Sequence, residues 1–381
     1  MKLETFAYNK SKWSVEKFPA LDSPQTLVIV FGAPAFVDDP TPIKELAAAY
    51  PQSVVIGCST AGEIFGETVH DESLSVAVAR FEQSRLIRAD VHIDAASESF
   101  EAGRTLAKAL AKPDLRGVFV LSEGVHINGS ELVRGLNAGL PESVVVTGGL
   151  AGDHDRFERT WVVKEGQPQP GWISAVGFYG DKIAIAHGSK GGWDTFGPER
   201  AITRSEHNIL YELDGKPALK VYEEYLGDRA AELPASGLLF PLAIRKDRAD
   251  QKSIVRTILG IDRDKQSLTF AGDMTQGYLA QLMKANFDRL VGGAAEAAEM
   301  TKSRQKKGEN GSPTLSIAIS CVGRRLVMGE RIERELEATR SVFGPDIPQI
   351  GFYSYGEISP YATGHCDLHN QTMTLTAISE L

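Results

Sequence analysis

Cysteine is scarce in this chain of 381 residues. The three present, Cys58, Cys321 and Cys366, lie far apart and show no C-x-x-C spacing. They cannot build a disulfide framework, a zinc ribbon, an iron–sulfur run or a covalent haem attachment. Long apolar runs are missing as well. The longest, roughly Thr26 to Val37, is broken by Gly32 and Pro34. A bilayer-spanning helix needs about 20 apolar residues, so membrane insertion is not expected. The opening MKLETFAYNKSKWS lacks the apolar stretch of a signal peptide. Nor is there an excess of positive charge: 41 Lys and Arg against 50 Asp and Glu leave −9 at pH 7. A broad surface for nucleic acid or anionic lipid is thereby disfavoured. A cytoplasmic protein with reduced thiols is the expectation.

What stands out is glycine, 37 of 381 residues, where average usage is about 7%. Many backbone positions should therefore need a positive φ or a close approach. Hydrophobic residues at 42% and charged residues at 24% are otherwise ordinary for a globular chain. At about 150 residues per domain, the length predicts two to three domains.

The first half alternates short apolar runs with amphipathic segments. Leu27–Phe31, Ser53–Gly57, Gly117–Leu121 and Ser143–Thr147 read as buried strands. Thr41 before Pro42, and Asn128 with Glu131 three residues on, read as helix starts. The order predicts a mixed α/β fold with largely buried sheets covered by helices. Further on, Gly180-Asp181 and Asp214-Gly215 read as hairpin turns, and residues 279–304 as one long helix. The stretch 302–313, KSRQKKGENGSP, is the most linker-like.

Two segments echo each other. GCSTAGEI (57–64) and GFYSYGEI (351–358) share the frame G-x-x-[ST]-x-G-E-I, each after an apolar strand. They predict two related modules, with a ligand pocket where the two strand-end turns approach. In the first turn, Cys58, Ser59 or Thr60 could act as a nucleophile, could present NH groups to a ligand with Gly62, or could simply serve packing. Glu63 and Glu357 are an acid/base pair only if they face each other; otherwise each accepts bonds within its own turn. TGGLAGD (147–153) offers Gly148, Gly149, Gly152 and Asp153 after another strand, without a nucleotide-binding frame. Tyr353, Tyr355 and Gly356 read either as a half-buried strand or as a pocket wall. His365 and His369 flank Cys366 at helical spacing, but their surroundings read as strand, which argues against zinc.

The motifs GCSTAGEI, NGSELVRGL, TGGLAGDHDRF, GSKGGWDTFGPER, YELDGKPAL, SCVGRRLVMGER, GFYSYGEISP and LHNQTMTL together resemble the FIST family of bacterial sensory input modules. The resemblance runs from about residue 26 to the end. It implies an N-terminal FIST domain at 26–222 and a C-terminal one at 223–362, with the last strand to 381 packing back. It implies a small-ligand sensor rather than an enzyme, passing its signal to a histidine kinase or a cyclic-dinucleotide protein. A homodimer is compatible with it. A chain with no fused output domain looks like the haem-binding, nitric-oxide-sensing NosP-like members. Under that reading haem b would take His187 or His369 as axial ligand, with Arg324 or Arg325 on its propionates. A metabolite sensor, for instance of an amino acid, and a Cys58-dependent hydrolase or transferase are the alternatives. Expected ligand contacts are Cys58, Ser59, Thr60, Gly62, Glu63, Asn128, Gly148, Gly149, Gly152, Asp153, Arg324, Tyr353, Tyr355, Gly356 and Glu357.

Overall fold

The computed structural model describes residues 1–250, 252–305, 313–361 and 364–381. Part of the linker-like stretch, 306–312, and residue 362 at the expected domain end lie outside the described residues.

The mixed α/β fold is built from one strand pattern used three times. In the first unit, Thr26–Gly32 pairs in parallel with Val54–Ser59 and antiparallel with Leu74–Arg80, which carries Lys2–Asn9 on its far edge. The second unit repeats this with Leu115–Ser122, Val145–Leu150, Trp172–Tyr179 and Arg85–His92. The third uses Thr314–Cys321, Gln349–Ser354, Met373–Glu380 and Ile183–Lys190. Each parallel pair is bridged by a crossover containing a helix: Thr41–Ala49, Gly129–Gly139 or Glu333–Phe343. The two expected modules thus overlie three topologically equivalent sheets.

A hairpin follows the second strand of each unit and joins a neighbour's sheet. The hairpin of Glu63–Phe65 and Thr68–His70 extends the third unit. Gly356–Pro360 and Cys366–His369 extend the second, and Val162–Lys164 with Gln167–Gln169 extends the first. The exchange closes a ring. Inner faces of all three sheets meet in one core that includes Phe31, Cys58, Phe119, Leu121, Ile317 and Phe352. The outer face of the first unit instead packs Val28 and Val30 with Ile43 and Leu46 of its helix. Burial on both faces explains why these strands read as continuous apolar runs.

Residues 194–284 form a fourth sheet with its own core, around Leu210, Tyr222, Leu242, Phe270 and Leu282. It is inserted into the third unit, after Ile183–Lys190. Here two expectations fail. Residues 279–304 are a strand, Leu279–Lys284, followed by a helix, Phe287–Arg304, because Asn286 caps the helix and accepts a bond from the Arg289 amide. Gly180-Asp181 is not a hairpin: Trp172–Tyr179 already has a partner strand on each edge, and Ile183–Lys190 pairs elsewhere. Asp214-Gly215 does turn a hairpin, with φ of 52° and 73°. Asn128 caps the helix Gly129–Gly139, accepting from the Glu131 amide at 3.1 Å. The helix Thr41–Ala49 starts one residue earlier than expected, with Pro40 at its cap.

Candidate functional site

The three second strands end at one place, where their turns hold each other. The Ala61 amide donates to the Tyr353 carbonyl (2.8 Å), Tyr355 to Leu150 (3.2 Å) and Gly152 to Ser59 (3.0 Å). These bonds are cyclically equivalent, one from each unit to the next. The two matched turns also share their internal chemistry. Thr60 Oγ1 donates to Glu63 Oε1, and the Ser73 hydroxyl and amide donate to Glu63 Oε2 at 2.8 and 3.0 Å. Ser354 Oγ donates to Glu357 Oε1 at 2.7 Å, and the Thr372 hydroxyl and amide donate to Glu357 Oε2 at 2.9 and 3.2 Å.

Both glutamates are fully buried, and each serves its own turn rather than facing the other. Burial outweighs the donors around them and raises both carboxyls to about 8. An acid whose folded pKa exceeds its unfolded value binds its proton more tightly when folded. Stability from these groups is thus complete below about pH 4.3 and falls as pH rises toward 8. Glu63→Gln keeps a neutral side chain of the same shape. Urea unfolding of this variant should show a flatter pH dependence between 5 and 8 than the parent chain; an unchanged slope would contradict the assignment.

The second unit departs from this pattern, and its departure makes the site. At the register position of Glu63 and Glu357 it carries Val162, and its turn is drawn out into a loop. Asp153 organises that loop. Its carboxylate accepts the amides of Phe157 (2.9 Å), Glu158 (3.0 Å) and Arg159 (2.9 Å), together with the Tyr355 hydroxyl. His154 and Phe157 are thereby held at positive φ, 66° and 54°. For a bulky aromatic residue this is a strained conformation that the surroundings must impose.

The loop overlooks two cavities. The smaller, about 560 Å³, is lined by Ala61, His154, Asp155, Arg325, Leu326 and Glu333 among others. Arg325 bonds Asp71 at 2.9 and 2.7 Å and also donates to the Ala61 carbonyl. The larger, about 670 Å³, lies between the core and the inserted sheet. Gly124, Val125, Ile127, Asn128, Leu150, Phe157 and Tyr355 form one wall; Ile258, Leu259 and Phe270 face them. Asp155 and Leu326 border both cavities.

Of the expected contacts, Asn128 and Tyr355 line the larger cavity. Asp153 shapes it from behind. The others are framework. Ser59 Oγ accepts the Trp161 amide at 3.1 Å, and Thr60 Oγ1 accepts the Gly62 amide at 3.1 Å. Gly62, at φ 133°, leaves room for the Arg325 guanidinium, which any Cβ there would strike. Gly148, Gly149 and Gly356 sit inside paired strands, and Gly152 belongs to the ring of turn bonds. Tyr353 donates to Glu335 Oε1 at 2.8 Å, and Arg324 forms a fully buried pair with Glu335 at 2.7 Å. The arginine that reaches a cavity is its neighbour, Arg325.

Cys58 lies in the central core at 0% exposure, where burial pushes its thiol well up. A buried thiol kept protonated is no nucleophile, so the structure removes the Cys58 hydrolase or transferase. His187 and His369 also turn inward. His187 Nδ1 lies 3.2 Å from Arg304 Nη1, and burial and that arginine lower it to about 4. His369 Nε2 contacts the Ser359 carbonyl at 2.9 Å, and its burial likewise disfavours the charged form. Neither His187 nor His369 thus presents its imidazole to either of these two cavities.

A second echo marks the same repeat. His70-Asp71-Glu72-Ser73-Leu74-Ser75 matches His369-Asn370-Gln371-Thr372-Met373-Thr374 position by position, and both Glu72 and Gln371 have positive φ, 58° and 61°. It was readable in the sequence. The apolar wall contributed by Ile258, Leu259 and Phe270 carries no such signal.

Fold and site define a ligand-binding α/β protein with its cavities at a ring of strand ends. Residues 26–216 match the FIST N domain and residues 218–360 the FIST C domain. The chain belongs to the FIST family, whose domains are sensory and ligand-binding, and is accordingly a small-ligand signal-transduction protein. Among solved structures it is similar to cyanuric acid hydrolase from A. caulinodans, at 10% identity and a TM-score of 0.35, with 99% of each chain covered. No curated protein matches it. Among the described residues, no helix is long and apolar enough to cross a membrane.

Proposed function

We propose that this protein senses a small organic metabolite held in the larger cavity, and that drawing the inserted sheet onto the core is the signal it passes to a separate partner such as a histidine kinase. One observation carries the reading. Of the four large hydrophobic residues left exposed among the described residues, three, Phe157 (38%), Leu259 (41%) and Leu326 (42%), border this cavity. Clustered exposed apolar side chains mark a binding surface. A cavity of this size with a few polar groups suits a metabolite.

Polar contacts already tie the two walls. Asn128 donates to Asp273 at 3.1 Å, Lys252 pairs with Asp367 at 2.6 Å, and the buried Arg256 donates to the Leu368 carbonyl at 3.0 Å. A ligand adds apolar burial across the same seam and so favours its closed form. The inward-turned histidines favour this haem-free reading over nitric-oxide sensing through haem.

Thermal unfolding with a metabolite panel tests it. A true ligand at a hundred times its Kd contributes about 2.7 kcal/mol, read as a rise of several degrees. Leu259→Trp fills the cavity from an exposed position and is expected to abolish that rise while leaving the unliganded transition in place. No rise with any compound, or an equal rise in Leu259→Trp, would overturn the proposal.

A further inference from the structure

Resting on that reading, we infer that the larger cavity selects a flat aromatic ring bearing an amine or a ring N–H, with Phe157 as the stacking platform and Asp155 as the charge partner. Phe157 lays one face of its ring on Tyr355, with centroids 4.2 Å apart and planes 15° apart. It nonetheless keeps 38% of its surface open where it borders the cavity. A ring already stacked on one side and open on the other is half of a sandwich. It is also pre-set. The φ of 54° and the bond from the Phe157 amide to Asp153 fix the backbone, and the Tyr355 hydroxyl is tied to the same carboxylate. Little freedom remains to be lost when a ligand ring arrives. Aliphatic Ile258 and Leu259 bound the slot from the inserted sheet, which suits a thin, flat guest.

Charge decides the rest. Among the described residues, Asp155 is the one charged side chain lining the larger cavity. No cation stands there to receive a carboxylate or phosphate, so an anionic ligand would be desolvated without compensation. An ammonium or N–H donor would pair with Asp155, and the face of Phe157 attracts a cation in addition.

Three probes separate these features by calorimetry on the full chain: tryptamine, indole-3-acetate and 2-cyclohexylethylamine. Tryptamine is expected to bind about tenfold more tightly than either of the others, one lacking the positive charge and one the flat ring. Phe157→Asn keeps a residue type that tolerates positive φ but removes the ring. It should weaken tryptamine about tenfold and leave 2-cyclohexylethylamine within about twofold. Phe157→Tyr should restore tryptamine binding. Asp155→Asn should bring tryptamine and indole-3-acetate within about threefold of each other. Failure of tryptamine to bind, equal binding of either comparison probe, or indifference to Phe157→Asn would overturn the inference. If other compounds bind and Leu259→Trp expels them, the ligand class is wrong and the cavity stands. If tryptamine binds Leu259→Trp unchanged, the cavity reading itself falls.

Discussion

Replacing Glu335 by alanine is expected to remove about 3–5 kcal/mol of stability, the range for leaving one member of a buried ion pair alone. Glu335 and Arg324 both have 0% side-chain exposure. Glu335 accepts Arg324 Nε at 3.0 Å and Nη2 at 2.7 Å, Ser320 Oγ at 2.8 Å and Tyr353 Oη at 2.8 Å. Its loss strands a buried guanidinium and two hydroxyls together. Arg324 also donates to the carbonyls of Gly191 and Leu290, which sit where the chain leaves the core for the inserted sheet and returns. The pair therefore anchors the stem of the insert to the third unit. Domain stabilities are about 5–15 kcal/mol, so the variant should unfold at markedly lower urea. Arg324→Met combined with Glu335→Leu removes both charges and should recover most of the loss. A Glu335→Ala cost below about 1 kcal/mol would show that the pair is not buried as described.

Asp153→Ala is expected to act on ligand response more than on global stability. Three backbone amides and the Tyr355 hydroxyl converge on this one carboxylate. Bonds to a charged acceptor are worth about 1.5–3 kcal/mol each, but the loop is exposed and water can take over the freed amides. Without the carboxylate the Phe157 amide keeps only its bond to the Tyr355 hydroxyl (3.1 Å), itself released from Asp153, and the stack on Tyr355 loses its fixed half. Binding of any compound that raises the melting temperature of the parent chain should fall at least about tenfold, while the transition without ligand shifts by only a few degrees. Undiminished binding in Asp153→Ala would show that the loop does not shape the cavity.

Much of the framework was legible in the sequence, because buried strands write themselves as apolar runs and caps as Asn or Gly. Asn128, Gly227 and Asp214-Gly215 end or start elements where their chemistry requires. The repeat was only partly legible. G-x-x-[ST]-x-G-E-I revealed two turns because Glu63 and Glu357 solve the same problem, a buried carboxyl satisfied by hydroxyls. The third turn was hidden because Val162 replaces the glutamate and the loop 154–160 intervenes, so TGGLAGD appeared as a separate glycine motif. Glycine-rich, polar turns suggested ligand contact, whereas most of their atoms bond one another. Thr60 with Glu63, and Ser354 with Glu357, are examples. The open side chains came instead from the irregular loop (Phe157), the inserted sheet (Leu259) and the short helix Val322–Met328 (Leu326), where they follow no shared periodic pattern.

The central claim is that ligand sits between the core and the inserted sheet. Hydrogen–deuterium exchange, with and without the tightest-binding compound of the metabolite panel, tests it most directly. Exchange should slow in residues 124–128, 153–159 and 256–272, which line or support the cavity on both sides. Slowing confined to the surroundings of His187 and His369, with those three segments unchanged, would contradict it.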